Sequence, residues 1–195
     1  MRRGVWAAAV VLGAAALIAV AIWVSQSIDE PGDAAPGPSA TAAPDGPAAP
    51  ERPAAAFPLT VLYVYDGDTI QARMQQPNDV VTTANPIRIR LIGVDTPEGT
   101  PTTECWADEA RAHLAQLLPE GSTVWAAPDR DTWDDYDRRL FNLWTENGAF
   151  VNLELVAAGD AEAIRVRPNV AFYDLLASAQ AEAEASGAGR WGACD

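Results

Sequence analysis

The sequence contains no lysine. Its 13 basic side chains are all arginines, set against 27 aspartates and glutamates, for a formal net charge of −14. Affinity for a polyanion usually comes from many cation–phosphate contacts. This balance therefore excludes binding driven by a broad basic surface. Any positive face must be local, as around Arg88, Arg90, Arg138 and Arg139. Histidine is almost as scarce, since His113 stands alone. That argues against a histidine-based zinc centre, and no Ser-His nucleophile arrangement is present. There is no glycine-rich phosphate loop and no internal repeat. Cysteine appears twice, as Cys105 and Cys194. Neither lies near the N-terminal apolar run, so nothing suggests a lipid-bearing end.

That apolar run is the first thing present. Met1-Arg2-Arg3-Gly4 precedes Val5 to Ile28, which carry no charge. About 20 apolar residues span a bilayer core, and the two arginines favour a cytoplasmic N-terminus. Residues 1–28 read either as a retained anchor, crossing the membrane through residues 5–24, or as a signal peptide cleaved near Ser25-Gln26-Ser27. Both readings put the remainder outside the cytoplasm, tethered or secreted. Residues 29–56 are Pro, Ala, Gly, Asp and Ser with almost no large apolar side chain. Such a segment buries too little surface to offset its ordering entropy. It reads as a disordered, semi-stiff linker, reaching between about 30 Å as a coil and about 85 Å as polyproline II. Residues 57–195 form the globular domain. In an exported domain Cys105 and Cys194 are expected to pair. Closing a loop of about 90 residues gives about 4.6 kcal/mol on the chain-entropy argument, an upper figure.

Within the domain, period-2 alternation predicts strands over Leu59–Tyr65, Thr69–Met74, Ile87–Val94, Ser122–Ala127 and Leu140–Thr145. Helical spacing predicts helices over Glu104–Leu117, Val151–Ala158, with Gly159 as a C-cap, and Ala171–Ala185. Five short strands with a helix between the third and fourth predict an α+β, mainly β fold: a five-stranded Greek-key barrel of the oligonucleotide-binding type with about three helices. Trp106, Trp125, Trp133, Trp144 and Trp191 read as core and rim packing, and His113 as a structural or surface residue.

Three motifs stand out. Asp66-Gly67-Asp68-Thr69 is a tight turn between two strands, where Gly tolerates positive φ. Arg90 lies on a strand that exits into Asp95-Thr96-Pro97-Glu98, because proline ends the ladder. Asp134-Asp135-Tyr136-Asp137-Arg138-Arg139-Leu140 follows. Each alone is also compatible with solvated turns and surface charges. Together, in this order and spacing, they resemble the thermonuclease (staphylococcal-nuclease-like) family from about Pro58 to Trp191. The resemblance implies the same barrel. It also implies a Ca²⁺-dependent phosphodiesterase that cleaves DNA and RNA with little sequence preference and leaves 3′-phosphates. A monomer is expected.

The resemblance implies a role for each matching residue. Asp68, Asp95 and the Thr96 carbonyl would hold Ca²⁺, a cation that favours several oxygen ligands. Without it, Asp68, Asp95 and Glu98 repel one another. Glu98 would activate or orient the attacking water. Arg90 and Arg138 would clamp phosphate oxygens through planar guanidinium groups, and Tyr136 would border the nucleotide phosphate. Three features depart from the family. Asp137 stands where glycine is usual. Ile164-Arg165-Val166-Arg167 lacks the tyrosines that often precede Pro168-Asn169, and lysines are missing altogether. These departures keep a second reading open: a non-catalytic barrel on a stalk that binds a ligand or a protein partner.

Overall fold

Apolar side chains at every second position, bounded by glycine and proline turns, build strands that close on themselves. The computed structural model describes residues 49–194. The proposed anchor or signal segment and the linker as far as residue 48 lie outside the described residues. The barrel strands are β1 Phe57–Val64, β2 Thr69–Arg73, β3 Ile87–Leu91, β5 Thr123–Ala127 and β6 Arg139–Thr145. They run in the closed order β1-β2-β3-β6-β5. Every contact is antiparallel except β3 with β6, where Arg90 pairs with Leu140 in parallel register. The inward set includes Val61, Ile70, Ile89, Leu91, Val124, Phe141 and Leu143, all at most 1% exposed. Each such side chain contributes roughly 1.5–3 kcal/mol through burial.

The third strand is shorter than its pattern predicts. The run Ile87–Val94 breaks at Gly93, whose φ of 76° is left-handed, and the chain then enters a separate short strand, β4 Val94–Asp95. β4 pairs with β7 Glu162–Ala163, a two-residue strand with no period to betray it. Buried Asn152 fastens this break. Its Nδ2 donates to the Ile92 carbonyl at 2.8 Å, and its Oδ1 accepts from the Leu143 amide at 3.0 Å.

The helices are α1 Ala107–Leu117, α2 Val151–Ala157, α3 Tyr173–Ser186 and a short α4 Arg190–Ala193 that the sequence did not announce. α1 starts later than its spacing predicts. Trp106 has φ 75°, so helical geometry cannot extend back to Glu104. α2 ends as expected, with Gly159 at φ 77° and the Asp160 amide returning to the Leu155 carbonyl at 2.9 Å. Cys105 and Cys194 are joined by a disulfide, their Cα atoms 5.9 Å apart. The bridge ties the entry of α1 to the end of α4. His113 shares a buried anchor with Trp106. His113 Nδ1 meets one oxygen of Asp160, and Trp106 Nε1 donates to the other at 2.7 Å. Trp144 is fully buried and donates to the Pro50 carbonyl at 3.1 Å. The Arg52 guanidinium lies 4.0 Å above the Trp125 ring. Contacts with the barrel thus begin at Pro50, within the segment read as linker.

Candidate functional site

The turn between β1 and β2 delivers the first acid. Tyr65 N–H donates to the Thr69 carbonyl at 2.9 Å, and Asp68 N–H to Asp66 Oδ1 at 3.1 Å. Gly67 is required by space, since a Cβ there would lie 2.8 Å from the Thr96 side chain. That close approach seats Asp68 against Thr96. Asp68 Oδ2 accepts from the Thr96 amide at 2.9 Å and from its hydroxyl at 3.0 Å, while Oδ1 accepts from Thr69 Oγ1 at 3.1 Å. Asp68 is 5% exposed.

Arg90 stands between two acids. Its Nη1 lies 3.0 Å from Asp68 Oδ2, and its Nη2 donates to Asp95 Oδ1 at 2.6 Å. Nη1 also donates to the Val94 carbonyl at 2.6 Å and the Leu91 carbonyl at 3.2 Å. The break at Gly93 folds those carbonyls back to meet the guanidinium. Asp68, Arg90, Asp95 and Thr96 are therefore brought together as predicted. Burial pushes the Asp68 carboxyl up to about 6. The Arg90 charge opposes this shift and Asp66 adds to it. Loss of solvent also raises the Glu98 carboxyl, helped by the negative charges of Asp66 and Asp95. Asp66 is thus a member of the cluster that sequence reasoning left as a turn residue. The available signal was its position as the first acid of the turn.

Negative charge here exceeds what one guanidinium neutralises. Among the described residues, however, no group of three His, Cys, Asp or Glu side chains converges as a preformed metal cluster. The groups that face Arg90 are carboxylate and carbonyl oxygens, with the Thr96 hydroxyl beside them. This oxygen-only chemistry fits a hard divalent cation, and such an ion would offset the mutual repulsion that adds to the effect of burial on Asp68 and Glu98.

The second arginine arrives on the 130s loop. Arg138 Nε donates to Asp134 Oδ2 at 2.6 Å, and its amide to Asp134 Oδ1 at 2.8 Å. Its guanidinium lies 5.4 Å from the Tyr136 ring centroid, and Tyr136 is 77% exposed. Asp137 takes φ 61°, the left-handed region that glycine favours and aspartate tolerates. Loss of solvent alone would raise the Asp134 carboxyl, yet the Arg138 and Tyr136 amides and the Arg138 guanidinium together hold it below its ordinary value. Arg90, Tyr136 and Arg138 line one cleft of about 210 Å³ together with Ile164, Val166 and Asn169. Asn169 was not foreseen as a site residue. It is 3% exposed. Its Oδ1 accepts from the Arg130 and Asp131 amides at 2.9 and 2.8 Å, and its Nδ2 donates to the Asp131 carbonyl at 2.9 Å. It positions the loop that bears Arg138. The Pro168-Asn169 pair was its only trace in the sequence.

A family model described as staphylococcal nuclease homologue matches residues 88–193, which span Arg90, the acid exit and Arg138. The chain belongs to the staphylococcal nuclease family. The thermonuclease of Staphylococcus intermedius is similar, with 32% identity over 123 residues that cover 62% of this chain and 68% of that protein. Endonuclease YhcR of Bacillus subtilis (strain 168) is 33% identical over 138 residues, covering 66% of this chain. The chain spans 11% of that protein's length. The closed barrel with its helices is the fold this staphylococcal nuclease membership implies.

Proposed function

We propose that this chain is an exported, Ca²⁺-dependent nuclease that hydrolyses phosphodiester bonds of DNA and RNA with little sequence preference, leaving 3′-phosphates. It acts as a monomer outside the cytoplasm, tethered through residues 5–24 or released by cleavage. The reading rests on one observation: Arg90 and Arg138 line the same cleft, beside an acid cluster with excess negative charge. Asp68, Asp95 and the Thr96 carbonyl would hold the cation, which when bound supplies positive charge to the phosphate and to a nearby water. Glu98 takes a proton from that water. The water oxygen bonds to phosphorus, the P–O5′ bond breaks, and the departing oxygen is protonated from solvent. Arg90 and Arg138 stabilise charge on the non-bridging oxygens as it grows. Tyr136 borders the same phosphate.

The test is incubation of the purified chain with denatured DNA, with Ca²⁺ and with chelator. Metal-dependent release of 3′-phosphate ends is expected. Equal cleavage in excess chelator would refute the metal assignment. One observation favours the alternative, a non-catalytic binding module. The Arg90 guanidinium already contacts both acids proposed to hold the metal. Absence of cleavage under every metal condition would select that reading.

A further inference from the structure

The outer face of β1, β2 and β3 carries a row of side chains that the proposed hydrolysis does not use. Tyr63 pairs with Gln71 across one strand boundary, and Gln71 with Arg88 across the next. Cross-strand partners share a face about 4.8 Å apart. Tyr65 joins them, its ring edge-to-face with Tyr63 at 5.0 Å between centroids. The two rings are 42% and 38% exposed, Tyr63 first. Gln71 Nε2 donates to Tyr65 Oη at 3.2 Å, and the Arg88 guanidinium lies 5.1 Å from the Tyr65 ring centroid. At the other end Arg111, from α1, fixes the row. Its Nε donates to the Val64 and Tyr65 carbonyls, both at 3.1 Å, and its Nη2 to Tyr63 Oη at 3.3 Å.

No ion pair among the described residues includes Arg88 or Arg111. Both guanidiniums therefore lie beside exposed aromatic rings without a carboxylate partner. The row also adjoins the cleft. Arg88 precedes Arg90 by one period of the same strand, and Arg90 pairs with Thr69 in the neighbouring row. Beyond Arg88 the surface drops into a hollow of about 320 Å³ lined by Gln71, Arg88, Trp133, Asp137 and Arg139 among others. Trp133 is half exposed, with the Arg139 guanidinium 4.2 Å from its ring centroid. Arg139 is 5% exposed, has no ion-pair partner among the described residues, and its Nε has no hydrogen-bond partner. Asp137 is the one acid among the residues that line the hollow.

We propose that the row Tyr63–Tyr65–Gln71–Arg88, with Arg111 at one end and the Trp133–Arg139 hollow at the other, is a second nucleic-acid subsite. It holds single-stranded residues flanking the scissile phosphate. Exposed rings stack on base faces of any sequence, and guanidinium groups pair with phosphate or stack on bases. A duplex hides its base faces, so a single strand is the form this row fits. The arrangement gives a lysine-free, acidic domain a narrow route for a polyanion. The direction of the strand past the cleft rests on the nuclease reading above, but binding to the row does not.

The test uses the full chain and three variants, Arg88→Gln, Tyr65→Leu and Gln71→Arg. The readout is the ratio of kcat/KM for a 12-nucleotide oligothymidylate to kcat/KM for a dinucleotide. Loss of one stacking or phosphate contact should lower the ratio about tenfold in Arg88→Gln and Tyr65→Leu. Gln71→Arg adds a cation to the row and should raise it about threefold. The gain keeps the test informative if a loss variant folds poorly. Arg138→Ala should lower both substrates alike. An unchanged ratio in all three row variants, with the parent cleaving both substrates, overturns the subsite and leaves the nuclease reading intact. If the parent cleaves neither substrate, the nuclease reading fails, and fluorescence anisotropy of the labelled 12-nucleotide strand in chelator decides the row. About tenfold weaker binding by Arg88→Gln supports it, and equal binding refutes it. Displacement by poly-glutamate as effective as by unlabelled strand also refutes it, because that outcome assigns the row to acidic polypeptides.

Discussion

Two aspartate–arginine pairs reach the cleft through Arg90 and Arg138, and their surroundings push the acids in opposite directions. Asp68 lies 3.0 Å from Arg90, yet burial takes its carboxyl up to about 6. Asp134 lies 2.6 Å from Arg138 and its carboxyl is held below the ordinary value. Asp134 receives two backbone amides and a guanidinium on an open loop. Asp68 also receives amide and hydroxyl donors, but it is 5% exposed and shares Arg90 with Asp95, with Asp66 close by. An ion pair therefore does not by itself stabilise a charge, because desolvation and like charges can exceed the attraction. The Asp134–Arg138 pair is complete as it stands, and it holds in place the guanidinium proposed to clamp phosphate. The Asp68–Arg90 pair sits in a region short of positive charge.

The strongest way to break this contrast is to remove the cation that the acid end is proposed to need. Chelation, or Asp95→Ala, should abolish cleavage, and calorimetry should show Asp95→Ala losing Ca²⁺ binding while Asp134→Asn retains it. Next in size is loss of the proposed clamp. Arg138→Ala should lower kcat by about 10²–10³ with a smaller change in KM, as for a donor that acts on developing charge. Lysine at that position should rescue poorly, for want of the planar fork. Kinetics indistinguishable from the parent would remove Arg138 from the mechanism.

A third effect separates the two aspartates by pH. Asp68 has its folded pKa raised, so the native state holds its proton more tightly than the unfolded chain does. Its contribution to stability is greatest below about 3.8 and falls as pH rises toward about 6. The span amounts to ~3 kcal/mol. Asp134 has the opposite sign. Its contribution is present above 3.8 and is lost as pH falls through its lowered folded value. Urea unfolding of the metal-free chain from pH 3 to 7 should show both. Asp68→Asn should flatten the descent between pH 4 and 6, whereas Asp134→Asn should alter only the acid side. Identical profiles for the two variants would erase the distinction. The smallest effect concerns the loop backbone. Asp137→Gly relieves a left-handed residue and should stabilise the chain by up to about 1 kcal/mol. A drop in thermal midpoint would show that the Asp137 side chain contributes more than its backbone costs.

Much of the barrel was legible, because period-2 alternation over five to eight residues records a buried face directly. Val61, Ile70, Ile89 and Leu91 were readable as core for that reason. The acids and arginines of the site were legible through their motifs, and the cysteine pair through the expected compartment. Short features were not. β4 and β7 have two residues each, too few for a period. Trp106 ends the helical run backward through a left-handed φ that residue type does not foretell. Asn152 and Asn169 are buried fasteners that each reach a segment distant in sequence, 60 residues away for Asn152 and 38 or 39 for Asn169.

The sequence by itself determined the five barrel strands, which face of each is apolar, and which chemical groups the main turns and strand ends present. These follow from local propensity and alternation, which neighbouring residues decide among themselves. Only the tertiary structure decided that Thr96 reaches Asp68 across 28 residues and that Arg90 serves two acids at once. Closure of the barrel likewise aligned Tyr63, Gln71 and Arg88 in one row. Solvent exclusion and the sum of nearby charges set the opposite shifts of Asp68 and Asp134. Both depend on distances between segments remote in sequence, and those distances exist only once the barrel has closed.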